Sequence, residues 1–277
     1  MPGDKLPYPT LEFISDMTRW KASLVHLSAS LIIATAVLAI MLLLWYPYPL
    51  FAAVGGQMVL MILLGVDMTV GPLITLIIFN PKKSRKALTF DLSVIAALQI
   101  AALLFGMSVV FQARPVFVVF SKDSFDLVTA NLLSESDVAQ ARNPDYRLLP
   151  LTGPVYVYSE MPNDIQERNI VALSVLSGKD LPLFPRFYLP YAEHMKEAAR
   201  VVKPIIALKE LNPERATEID EMVRHSGHAE TDMGYLPLRA KYQDQAVILE
   251  KGSGKVLTIL PMNPWSTPDD PTTPGKK

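Results

Sequence analysis

GGQMVLMILLGVDMTVGPLITLIIFNPKKSRK, residues 55–86, is the stretch that decides the fold. It leaves a glycine pair, runs apolar to Phe79, stops at Asn80-Pro81 and enters a basic run of Lys82, Lys83, Arg85 and Lys86. At about 1.5 Å per residue, Gln57 to Phe79 is long enough to cross a hydrocarbon core of roughly 30 Å. One acid, Asp67, sits near the middle, and Gly71-Pro72 follows one turn later. A carboxylate at that depth costs about 2.5–3.5 kcal/mol on insertion scales. Pro72 removes a backbone donor and bends the helix.

The same reading extends in both directions. Ala22–Trp45 is a second apolar run, preceded by Arg19, Trp20 and Lys21 and broken by little except His26. Trp45-Tyr46-Pro47-Tyr48-Pro49 ends it, with rings suited to the headgroup level and prolines that stop a helix. The loop to Gly55 carries no charge, which predicts a tight hairpin. A third apolar run covers Leu92–Phe111. The fold class expected is therefore a membrane protein: three N-terminal transmembrane α-helices, about 22–45, 57–79 and 92–111, followed by an α+β periplasmic domain. The boundaries are 1–17 for a flexible leader, 18–112 for the membrane domain, 113–260 for the periplasmic domain and 261–277 for a disordered tail.

Charge sets the expected orientation. In residues 1–112 the basic residues are Lys5, Arg19 and Lys21 before the first run, and Lys82, Lys83, Arg85 and Lys86 between the second and third. The positive-inside rule places both groups in the cytoplasm, so three crossings leave the remainder in the periplasm. The run lengths and the absence of a small-x-small site argue against a cleaved signal.

Beyond Arg114 the pattern changes. Residues 115–120 (PVFVVF), 125–130 and 154–159 (PVYVYS) predict strands, as do 236–242, 246–250 and 256–260. Ser134 predicts a helix start, Asn163 with Gln166 a capping box, and Asn212-Pro213 a further helix start.

Half of the 277 residues are hydrophobic, there is no cysteine, and the net charge is −1. This excludes disulfides, thiol catalysis and thiolate metal sites, and argues against nucleic acid as a partner. His225 and His228 in HSGHAETD lack a metal-ligand spacing, and Lys251–Lys255 (KGSGK) lacks the full phosphate-loop pattern and predicts a hairpin turn. No sequence motif calls for an enzyme, a cofactor or a metal. Asp67 has two readings, a contact to a foreign helix or ion and a bond within its own bundle, with His26 as the other polar candidate. Gly65, Gly71 and Pro72 complete the predicted docking site. Ser30 with Ala34, and Ala97 with Ala101, supply small faces for close helix packing.

TRWKASLVHL, LWYPYPLF, GVDMTVGPLITLIIFNPKKS, FDLSVIAALQIAAL and ARPVFVVF together resemble the type IV pilin accessory proteins of the TfpX/TfpZ family. The resemblance implies a bacterial inner-membrane, chaperone-like protein that assists assembly or display of a cognate type IV major pilin, with no catalytic residues to carry over. The alternatives are a small transporter or enzyme centred on Asp67 and His26, and a scaffold of the assembly machinery.

Overall fold

The computed structural model describes residues 18–80 and 82–265; the side chains of Val59, Leu63, Leu64, Val66, Asp67 and Arg85 are not among those described. The chain divides into two compact units. One takes Met1–Ile40 and Met58–Val110, and the other takes Met41–Gln57 and Phe111–Lys277. The predicted leader falls outside the described residues.

The first unit is helical. Helix α1 is Arg19–Ile40 and continues as a π-helical stretch, Met41–Trp45. Helix α2 is Gly56–Ile78, 23 residues with Pro72 inside it. Helix α3 is Arg85–Gln112, starting seven residues before the apolar run because Arg85–Asp91 keep a helical backbone as a polar extension. Two helical stretches among the described residues, Arg19–Trp45 and Lys86–Gln112, are long and apolar enough to cross a membrane. At one end of the unit Ala22, Phe79 and Leu88 pack together. Ser30 and Ala34 are buried, as their small size predicts, whereas Ala97 and Ala101 lie exposed on α3.

The second unit is an α+β domain on one sheet. The strands are β1 (Pro115–Ser121), β2 (Ser124–Thr129), β3 (Val155–Ser159), β4 (Tyr188–Pro190), β5 (Lys203–Pro204), β6 (Met233–Arg239), β7 (Gln245–Glu250) and β8 (Val256–Leu260). Their order is β4-β3-β1-β2-β6-β7-β8, with β5 on β6. β1 is buried along its whole length, because it lies inside the sheet between β2 and β3 with both faces covered. Val118 and Phe120 enter one core with Leu236, Leu238, Val247 and Leu249. Phe117 and Val119 enter the other with Val128, Val157 and Tyr188.

Five short helices complete the domain: α4 (Glu135–Ala139), α5 (Ile165–Ser174), α6 (Tyr191–Val201), α7 (Ile205–Leu211) and α8 (Ala216–Ser226). Ser134 caps α4 in a full capping box with Asp137. The cap of α5 is Asp164, one residue after the expected Asn163, its carboxylate accepting from Glu167 N at 2.9 Å. Asn212 stands at the N-cap of a 3-10 turn, Pro213–Arg215, that leads into α8 as expected, but its side chain makes no capping bond; its amide donates to Leu208 O and Asn263 O, tying α7 to the chain after β8. The expected hairpin at 251–255 joins β7 to β8, and Gly254 is needed there. Its φ is +76°, and a Cβ would sit 1.8 Å from Met195 O on α6. The chain stays packed past Leu260: Met262 is buried with Ile205 and Tyr235, and Trp265 Nε1 donates to Asp244 at 2.9 Å. The rest of the expected tail lies outside the described residues.

The segment 41–57 departs most from expectation. It is an integral part of the α+β domain and not a bare hairpin. Leu50, Ala53 and Val54 join the core around Val118 and Leu236. Gln245, fully buried on β7, donates from Nε2 to Pro49 O at 3.0 Å. Tyr242 N and Gln243 N both reach Ala53 O, and Gly153 N reaches Leu44 O. These bonds explain why an uncharged loop can satisfy its backbone without water.

Candidate functional site

The polar residues of the helical unit converge on Gly71. Ser23 on α1 donates from Oγ to Pro72 O at 2.9 Å. His26, one turn further along α1, has Nδ1 2.6 Å from Thr75 Oγ1 on α2. Gln99 of α3 brings its amide against Gly71 so closely that a Cβ there would lie 1.9 Å from Nε2, and 3.0 Å from His26 Nε2. Gly71 is thus the one position in α2 where the missing side chain makes room for two polar groups. Gln99 also walls two grooves. One, about 480 Å³, runs between α2 and α3 past Val70, Ile74 and Leu98. The other, about 310 Å³, runs between α1 and α3 past Ala29, Ser30 and Ala96.

The predicted site residues distribute unevenly over this geometry. Gly71 and Pro72 are buried at its centre. Gly65 is exposed, and nothing lies within 4 Å of where its Cβ would be, so it marks no close approach. Asp67 lies one turn before Gly71 in the chain, and its side chain is outside those described. His26, the other polar candidate of the sequence, faces Thr75. Arg19, Lys21, Lys82, Lys83 and Lys86 are exposed, with Lys83 paired to Asp91 at 2.6 Å, and the Arg85 side chain is outside those described. Ser23, Thr75 and Gln99 escaped the sequence reading. A Gln within an otherwise apolar run was the available signal.

Asp126 on β2 lies opposite Arg239 of β6. Burial pushes its carboxyl up to about 6; Arg239 opposes the rise, while Asp180, Asp244 and Asp123 add to it. His225 Nδ1 sits 2.7 Å from Glu221 O and His228 Nδ1 2.9 Å from Ser226 O. Among the described residues no group of three His, Asp or Glu is placed to hold a metal ion.

Comparison with known proteins assigns the chain to a family. The fimbrial assembly protein FimB family matches over residues 16–55. A fimbrial assembly protein of Dichelobacter nodosus serogroup E1 is 26% identical over 233 residues, 83% of this chain and 90% of its own. The serogroup I protein of that organism is 26% identical with the same coverage. The protein of serogroups C1 and C2 is 33% identical over 121 residues, 44% of this chain and 92% of its own. No solved structure gives a significant match. With a relative at that identity aligned over nearly its whole length, and two more aligned over most of this chain, the chain belongs to the fimbrial assembly protein FimB family.

Proposed function

We propose that this chain is an inner-membrane accessory protein, of the TfpX/TfpZ kind, that assists assembly or surface display of a cognate type IV pilin and acts without catalysis. The observation that carries the reading is the similarity to fimbrial assembly proteins along 83% of the chain, spanning both the apolar helices and the α+β domain. In this reading α2 is the third membrane span beside α1 and α3. The basic residues Arg19, Lys21, Lys82, Lys83, Arg85 and Lys86 hold their ends in the cytoplasm, and the α+β domain faces the periplasm. A subunit that waits in the bilayer with its head outside offers two surfaces. The helices would meet its membrane segment, and the domain would meet its head. Asp67, Gly71 and Pro72 belong to the helical surface.

Deleting the gene tests the role. Pilin should remain in the membrane fraction while surface pili fall severalfold, and unchanged pili with normal pilin levels would contradict it. Orientation has its own check: a phosphatase reporter after Leu260 should be active and one after Lys83 inactive.

A further inference from the structure

One polar group beside Gly71, the Gln99 amide, is without a hydrogen-bond partner among the described residues, while His26 and Thr75 are bonded to each other. Thr75 is buried and its hydroxyl has one partner among the described residues, His26 Nδ1. Gln99 is half-buried at the wall of the larger groove, whose other named walls are Val70, Ile74, Val94 and Leu98. In hydrocarbon an unmet amide is costly, and a lipid chain cannot satisfy it.

We infer that the groove between α2 and α3 receives a partner's transmembrane helix that carries a hydrogen-bond acceptor, a carboxyl or carboxamide side chain, at the level of Gly71. The donor presented is the Gln99 amide; His26 lines the other groove, between α1 and α3. Gly71 precedes Ile78, the last residue of α2, by seven residues, so the acceptor sits about 10 Å inside that end of the bundle. The Gln99 amide fills the notch at Gly71, and the walls on either side are apolar apart from Asp91. The inference rests on the proposed pilin-assembly role, in which the visiting helix is that of the pilin.

The chain has no cysteine, so single thiols report contacts cleanly. Ala102→Cys places a thiol in the groove wall, and Ala101→Cys places one on the exposed side of α3. Paired with a cysteine scan along the pilin's membrane helix, Ala102→Cys should cross-link in intact membranes at positions within one turn of an acidic or amide residue, and Ala101→Cys should not. Gln99→Leu should reduce co-purified pilin roughly five- to thirtyfold, the span of one membrane hydrogen bond, while the protein accumulates normally. Gln99→Asn, which keeps the amide, should retain most of it. If wild-type protein captures no pilin, the pilin-assembly reading fails with this one. If pilin is captured equally by Gln99→Leu, or cross-links equally from Ala101→Cys, the groove assignment alone is wrong. A cross-link from Ala102→Cys to a second copy of this chain would also overturn it.

Discussion

The helical unit and the α+β domain treat the same residue types in opposite ways. On α1–α3 large apolar side chains face outward: Ile32 is 71% exposed, Ile77 77% and Phe105 72%. In the sheet Phe117, Phe125 and Val247 are 0% exposed. In the domain, apolar groups are gathered because water expels them. In the helices most are left outside, and Ser23, His26, Thr75 and Gln99 gather between the helices beside a few buried apolar residues such as Phe79 and Leu88. In the proposed membrane setting the outward apolar side chains meet hydrocarbon, which gives them no reason to cluster, and polar contacts and small residues mark where helices meet.

Truncating one phenylalanine in each unit gives the largest expected contrast. Phe120 is packed among Phe125, Tyr158 and Tyr191. Phe120→Ala should cost about 3–5 kcal/mol, by lost burial and the cavity left behind. Phe105→Ala, on the outward face of α3, should cost well under about 1 kcal/mol when thermal unfolding is followed in detergent. Similar losses at the two sites would remove the contrast.

A smaller effect is expected from pH, and it belongs to the domain alone. Asp126 rises from an ordinary 3.8 to about 6 in the fold. Between those values the folded state holds more protons than the unfolded one, so stability is fully present below about pH 4 and is lost as pH rises through 6. The change is at most about 3 kcal/mol. Asp126→Asn should flatten that slope and raise Tm at pH 7. An unchanged slope would assign it to another group.

Much of this organisation is legible in the sequence, and what is hidden is hidden for physical reasons. PVFVVF reads as a central strand because both faces of β1 are covered and every position is apolar. Ser134 reads as a cap because its hydroxyl and Asp137 satisfy each other's backbone donors. WYPYP misleads, since aromatic rings and prolines suit a headgroup belt as well as a docked segment; only Gln245, 196 residues from Pro49, reveals the second use. The site was half visible. Gly71-Pro72 stands out as a helix irregularity, but Thr75 and Gln99 acquire meaning only when three helices bring them to one glycine.

In the proposed role, the domain reads the pilin head while the helices hold its membrane segment. Exchanging the whole domain with that of a relative serving a different pilin tests it most directly. The exchange must carry residues 41–57 as well as 111–265, because Leu50, Ala53 and the Pro49–Gln245 bond belong to the domain core. Pilin co-purified with the chimera is the measurement. The account predicts that preference moves with residues 41–57 and 111–265. Preference that stays with helices α1–α3 would contradict it.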